Sequence, residues 1–162
     1  MTAREVPGHE VDDVVDAVLR ASRVLVSVAA RSLAGVTDKV TLPQYRALVV
    51  LAGRGPQNAG ALAEVLGVHT STLTRLCDRL VAKGMITRNE SPANRREVVL
   101  ALTPRGRRLV KSVTVRRRAE IAEIVAEVPR PQRDAMVRAL QAFGDAAGEA
   151  TESAWLPGWS EE

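Results

Sequence analysis

The chain has 162 residues, of which 46% are hydrophobic and 2% aromatic, and its formal net charge is +4. This length indicates one domain or one domain with extensions. The hydrophobic content excludes wholesale disorder. Because the apolar residues are mostly Val, Leu and Ala, packed helices are favoured over an aromatic-rich β-sandwich. We expect no membrane span, because the sequence has no long apolar run, and no signal peptide, because the N-terminus does not resemble one. One cysteine excludes an internal disulfide, and one cysteine with two distant histidines makes a zinc site unexpected.

The first predicted element is a long helix from His9 to Leu33. Its apolar residues cover more than one face of the helix: Val11, Val14, Val15, Val18, Leu19, Leu25, Val26 and Leu33. A helix that is apolar over so much of its surface is buried on several sides, either by its own chain or by a partner.

Three shorter helices follow. Thr41 is the predicted N-cap of the second, with Pro43 in its first turn, and Gly53 and Gly55-Pro56 are predicted to stop it. The third runs from Ala59 to Leu66, and the next residue is a glycine that can take the left-handed conformation of a helix end. The fourth continues to Ala82. Two short helices joined by a tight turn that contains glycine are typical of a helix-turn-helix.

Met85 to Asn89 and Val98 to Leu102 are predicted strands, and the polar segment ESPANRRE between them makes them a hairpin with a long tip. The helix-turn-helix and the hairpin together form a winged helix.

A long helix then begins at Thr103-Pro104, and a last helix runs to about Ala147. The tail that follows is broken by Pro and Gly, so we expect it to be flexible. Its Trp155 and Trp159 are candidates for docking onto another surface.

The fourth helix lies in the stretch GVHTSTLTRLCDRL, which carries four hydroxyl residues near its start. At about 100° per residue, the apolar residues Leu73, Leu76, Cys77, Leu80 and Val81 fall on one side. The other side is formed by Ser71, Thr74, Arg75, Asp78 and Ala82. A small, hydroxylated first turn followed by arginine suits a helix that enters the major groove of DNA. The alternative is that the hydroxyls only cap the helix, which explains one or two of them.

Charge is concentrated in the middle of the chain. Residues 68–118 contain 13 Lys and Arg against 3 Asp and Glu, a net charge of +10, whereas the remainder has 10 against 16, a net charge of −6. A basic block of this kind indicates a polyanionic partner, although a solvated charged face is the other interpretation. Asn94, Arg95 and Arg96 lie at the predicted wing tip, where arginine suits the narrow minor groove of DNA.

Two stretches and the order of elements carry a resemblance to a known family. These stretches are ALAEVLGVHTSTLTRLCDRLVAKGMITR (residues 61–88) and NRREVVLALTPRG (residues 94–106). The chain resembles the MarR (multiple antibiotic resistance regulator) family of bacterial winged-helix transcription factors from about His9 to Ala147. The resemblance implies a mainly α fold, with a winged helix-turn-helix lobe at 41–103 that has a two-stranded wing. It also implies an intertwined dimerisation region at 9–34 and 104–147, leaving 148–162 as a flexible tail.

The family's activity is implied in the same way. The protein would be a cytoplasmic homodimer on double-stranded DNA with a pseudo-palindromic operator, and it would be a repressor released by a small aromatic or anionic effector. The implied DNA-binding residues are His69, Thr70, Ser71, Thr72, Thr74, Arg75, Arg79, Asn94, Arg95 and Arg96. The implied effector residues are Arg20, Arg23, Tyr45 and Arg46. No cofactor or metal is expected.

Two positions depart from the family pattern. His69 stands where the family usually has a capping Ser, so we expect Thr70 to cap the helix instead. Asn94 stands where the family usually has an Asp that pairs with the wing arginine, and an amide pairs more weakly than a carboxylate. Cys77 faces inward and is interpreted as a small packing residue.

The sequence also bears on other functions. A winged helix used as a protein-interaction module would not need the basic face, and a regulator without a small-molecule effector stays open. An enzyme is not expected, because there is no paired His/Asp/Glu constellation and no Gly-rich phosphate loop.

Overall fold

The computed structural model describes residues 8–35, 40–90 and 98–148. Its elements in chain order are α1 (Gly8–Ala34), α2 (Leu42–Arg54), β1 (Gln57–Asn58), α3 (Ala59–Leu66), α4 (Thr70–Ala82), β2 (Ile86–Glu90), β3 (Val98–Leu102), α5 (Pro104–Ala126) and α6 (Arg130–Ala146). The mainly helical winged fold predicted from the sequence is therefore confirmed. No helix in the described ranges is both long and apolar enough to cross a membrane.

The predicted helix starts are confirmed by their caps. The Thr41 side chain accepts a hydrogen bond from the Gln44 N–H, and the Gln44 side chain accepts one from the Thr41 N–H, which makes a capping box. Thr103 caps α5 by accepting from the Gly106 N–H at 3.0 Å. Gly67 ends α3 in the left-handed conformation, with φ of 65° and ψ of 35°, so the chain turns at once into α4.

The sheet has three antiparallel strands in the order β1-β3-β2. The wing strands β2 and β3 pair from Ile86↔Leu102 to Glu90↔Val98. Strand β1 pairs Gln57 with Leu100 and Asn58 with Val99. The predicted two-stranded wing is therefore confirmed, and β1 adds a third strand to the sheet. This strand was not predicted, because two residues beside Gly55-Pro56 have no periodicity that could distinguish them from a loop.

One core joins α2, α3, α4, the sheet and the first half of α5. Its largest buried side chains include Leu48, Leu51, Leu62, Leu73 and Leu80. The C-terminal end of α1 adds Val28 and Leu33 to the buried set. Tyr45 is the one aromatic side chain of this core among the described residues, as the low aromatic content predicts.

The outer helices keep exposed apolar surface. On α1, Val11 is 62% exposed, and Val14, Leu19 and Val26 are also exposed. Among the described residues of α6 none is buried, and Phe143 is 55% exposed. The expectation that α1 is buried on several sides is met within this chain only near its C-terminal end, so the remaining apolar surface is available to a partner.

The base of the wing is fixed to α5. The Thr103 N–H donates to the Met85 carbonyl at 3.0 Å, and the Thr103 hydroxyl lies 2.7 Å from the Gly84 carbonyl. At Gly106 the first turn of α5 approaches the Met85 carbonyl so closely that a Cβ atom would overlap it. This close approach explains a glycine inside a helix, where it costs about 1 kcal/mol relative to alanine.

Candidate nucleic-acid interface

Helix α4 presents the polar face that the sequence predicts. Leu73, Cys77 and Leu80 are buried. Five of the predicted DNA-binding residues are exposed on the opposite side: Ser71, Thr72, Thr74, Arg75 and Arg79. Val81 was predicted to face inward but is 37% exposed, because it lies at the edge of the apolar arc near the end of the helix.

The N-cap of α4 differs from the predicted one. His69, not Thr70, occupies the N-cap position, and its side chain makes no capping hydrogen bond. Thr70 is the first residue of the helix, and its carbonyl accepts a hydrogen bond from the Thr74 hydroxyl at 2.9 Å. Both His69 and Thr70 are exposed. Because no side chain caps them, the first N–H groups of α4 remain able to donate to a phosphate.

A shallow groove of about 260 Å³ brings α4 and the start of α2 together. It is lined by Thr72, Arg75 and Arg79 from α4 and by Thr41, Pro43 and Gln44 from α2, with Leu76 between them. Lys83 also reaches this side, where its ammonium group donates to the Gln44 side chain at 3.3 Å. The first turn of α2 therefore belongs to the same face, which the sequence analysis did not predict.

An ion pair links α4 to the wing. The Arg88 guanidinium on β2 donates to the Asp78 carboxylate at 2.6 Å, and the two side chains are 42% and 53% exposed. Arg88 thereby offsets the one negative charge on the exposed face of α4. No local pattern in the sequence indicates this contact, because the two residues meet only through the packing of β2 beside α4.

Asn94, Arg95 and Arg96 lie outside the described residues, so the predicted contacts of the wing tip have no structural account. The strands that lead to the tip are paired up to Glu90↔Val98.

Cys77 is 2% exposed, as predicted for a packing residue. Burial raises the pKa of its thiol above the ordinary 9.0; nearby Arg88 lowers the pKa and Asp78 raises it. The thiolate, which is the reactive form, is therefore disfavoured in the folded protein.

A second feature is a cleft of about 520 Å³ on the side of the molecule where α1, α2 and α5 meet. Its lining residues are Leu25, Val26, Ala29, Leu42, Tyr45, Arg46, Val49, Val50, Arg54, Val65, Arg117, Ala147 and Gly148. Tyr45 is a wall residue, 3% exposed, whose hydroxyl lies 3.4 Å from that of Thr114. The cleft has the size and apolar lining of a small-molecule site.

The cleft changes the set of candidate effector residues. Tyr45 and Arg46 line it, as predicted, but Arg20 and Arg23 do not; they are exposed on α1 before the part of that helix that reaches the cleft. Two arginines that the sequence analysis did not select, Arg54 and Arg117, line it instead. Within the described ranges, no cluster of His, Cys, Asp and Glu could hold a metal ion.

Comparison with known proteins identifies the fold. A family model described as MarR family matches residues 40–98. The crystal structure of RV1404 from Mycobacterium tuberculosis has a TM-score of 0.82 and 46% identity, and the match covers 93% of this chain and 99% of RV1404. The uncharacterized HTH-type transcriptional regulator Mb0904 of Mycobacterium bovis is 33% identical over 98 residues, which are 60% of this chain and 68% of that protein. The chain belongs to the MarR family.

The MarR-family match extends from the segment before α2 to the first residue of β3, so it covers the helix-turn-helix and most of the wing. The flanking helices also have counterparts. A MarR family protein from Bacillus stearothermophilus, 20% identical, shares the fold with a TM-score of 0.80 over 89% of this chain and 99% of its own. As a MarR-family protein the chain is a DNA-binding transcriptional regulator, and it is not an enzyme.

Proposed function

We propose that this MarR-family regulator is a homodimeric repressor that binds a pseudo-palindromic operator and leaves it when a small anionic effector binds. The observation that carries the DNA-binding part is the shared groove of Thr72, Arg75 and Arg79 with the first turn of α2. Small hydroxyl side chains beside two arginines allow α4 to approach base edges, and arginine can bind guanine through two hydrogen bonds.

The residues divide by their expected role. Ser71, Thr72 and Arg75 lie near the start of α4 and would reach base edges, as the N-terminal residues of a recognition helix do. His69, Thr70, Thr74 and Arg79 surround them and would contact the backbone phosphates. Asn94, Arg95 and Arg96 would enter the minor groove from the wing.

Dimerisation is supported by the apolar surface that this chain leaves uncovered on α1 and α6. Val11, Val14 and Leu19 on α1 and Leu140 and Phe143 on α6 are each about half exposed or more. Exposed apolar surface of this extent on two long helices is typical of a protein–protein interface. Two copies would place one winged lobe on each half-site, in the cytoplasm where the chromosome lies.

The effector part rests on the charges around the cleft. Arg46, Arg54 and Arg117 line an otherwise largely apolar surface, and no Asp or Glu of the described ranges lines it. None of the three guanidinium groups makes a hydrogen bond or ion pair with a residue that the structure describes. A small molecule with an apolar or aromatic body and an acidic group fits this chemistry.

Footprinting on the DNA beside the protein's own gene tests the proposal, combined with sedimentation of the free protein. A dimer that protects two half-sites about one helical turn apart supports it. A monomer, or a dimer that protects no segment of that DNA, would refute it. Protection that persists when every tested small acid saturates the cleft would refute the effector part alone.

A further inference from the structure

The cleft between α1, α2 and α5 has an unusual charge pattern. Arg46 and Arg54 lie on one ridge of α2, two turns apart, with the apolar Val50 between them. Arg117 lines the cleft from α5, and its Nε atom is buried without a hydrogen-bond partner. A buried guanidinium nitrogen without a partner is costly. The three arginines also make the cleft strongly basic, because no Asp or Glu of the described ranges lines it, and this charge favours an anionic group there.

The described part of the chain ends at this cleft. Ala147 and Gly148, which follow α6, are among the lining residues. The next residues, 149–162, are EATESAWLPGWSEE. This segment carries four glutamates and no Lys or Arg, and both tryptophans of the chain lie in it. An acidic, indole-bearing segment therefore begins at the rim of a basic, apolar cleft.

We propose that residues 149–162 dock in the cleft of their own chain, with Trp155 or Trp159 against its apolar wall and glutamates on its arginines. The segment is then an internal competitor for the effector site, which raises the effector concentration needed for release. This role as a competitor rests on the proposed function, whereas the docking itself does not.

The segment is long enough to extend along the cleft. Trp155 lies seven positions beyond Gly148, and an extended chain spans about 3.4 Å per position, or about 24 Å in total. Helix α2, which forms one side of the cleft, is 13 residues long, or about 20 Å at about 1.5 Å per residue. Tethering also supplies an effective concentration in the millimolar range, so even weak contacts keep the segment bound.

Tryptophan fluorescence tests the docking directly, because Trp155 and Trp159 are the two tryptophans of the 162-residue chain. We expect blue-shifted emission and slow quenching by acrylamide in the wild type. The double substitution Arg46→Gln/Arg54→Gln should shift emission to the red and increase the quenching constant several-fold. Arg138→Gln, an exposed arginine on α6 away from the cleft, is the matched control and should change neither quantity.

Competition gives a second readout. A chain that ends at Gly148 should bind the anionic aromatic probe anilinonaphthalene sulfonate about tenfold more tightly than the full chain, because a competitor at millimolar effective concentration is gone. The proposal is overturned if wild-type tryptophans are quenched as fast as those of a free peptide of residues 149–162. It is also overturned if the two glutamine substitutions leave quenching unchanged.

A mixed dimer shows whether the segment docks in the cleft of its own chain or in the cleft of its partner. One chain carries Trp155→Phe and Trp159→Phe with an intact cleft, and its partner carries the tryptophans with Arg46→Gln/Arg54→Gln. Docking in the same chain predicts fast quenching, and slow quenching would contradict it. None of these measurements needs DNA or an effector, so failure here leaves the proposed function standing, and failure of operator binding leaves the docking standing.

Discussion

Arg88 on β2 and Asp78 on α4 form an ion pair of 2.6 Å that ties the wing to α4. Both side chains are partly exposed, so the pair links these two elements without adding much to stability. We expect Arg88→Gln to lower the free energy of unfolding by less than about 1 kcal/mol, and by less still at high salt. Urea denaturation of Arg88→Gln, Asp78→Asn and the double variant measures this coupling. A coupling of several kcal/mol would show that the pair is a main stabilising contact.

Gly106 should resist substitution despite lying in a helix. A Cβ at this position would overlap the Met85 carbonyl. We expect Gly106→Ala to lower the free energy of unfolding by about 2 kcal/mol or more, although alanine is the better helix former. Gly60→Ala in α3, where the nearest atom is at an ordinary 3.5 Å, is the control and should be neutral or stabilising. Equal stability of the two variants would contradict the close approach.

Cys77 should make stability depend on pH in the alkaline range. Burial raises the pKa of its thiol above 9.0 in the folded state, so the unfolded chain loses the thiol proton first. The stabilising contribution is fully present below the unfolded pKa and is lost as pH rises through the folded pKa. We expect the stability difference between wild type and Cys77→Ala to shrink above about pH 9. A difference that stays constant or grows across that range would contradict the raised pKa.

The affinity for an anionic probe should depend on the arginines that line the cleft and not on Arg20 and Arg23 of α1. In the chain that ends at Gly148, where the C-terminal segment cannot compete, Arg46→Gln should weaken the binding of anilinonaphthalene sulfonate about tenfold, the effect of losing one charge-assisted hydrogen bond. Arg20→Gln and Arg23→Gln should leave that affinity unchanged, because neither residue lines the cleft. Fluorescence titration of the three variants measures this. The same loss at Arg20 as at Arg46 would place the anion outside the cleft.

Local signals in the sequence were enough to predict most of the fold. The helix from Ala59 to Leu66 was predicted with its observed bounds, because Gly67 takes the left-handed conformation that ends it. The start of α5 was predicted from Thr103-Pro104, since a cap followed by proline is a local pattern. By contrast, β1 depends on pairing with a strand 43 residues later, and its two residues have no pattern of their own.

The site was predicted in part, for a related reason. The exposed face of α4 follows from helical spacing, which is local. The Arg88–Asp78 pair and the place of Arg117 in the cleft depend on how separate elements pack. Arg117 lies in a run of basic residues, which in the sequence indicates a solvated face. In the structure Arg117 is half-buried and lines the cleft. The cap of α4 was predicted wrongly. Thr70 was expected to cap the helix, but His69 occupies the N-cap position and its side chain makes no capping hydrogen bond.

We propose that the face of α4 binds DNA through Arg75 at a specific site. Fluorescence anisotropy with labelled DNA from beside the gene, titrated at several salt concentrations, measures this binding. We expect salt-sensitive binding of that DNA in preference to unrelated DNA. Arg75→Gln should weaken this binding by about tenfold to a hundredfold, whereas Arg138→Gln should not. Binding that shows no preference at micromolar protein, or that is unchanged in Arg75→Gln, would contradict it.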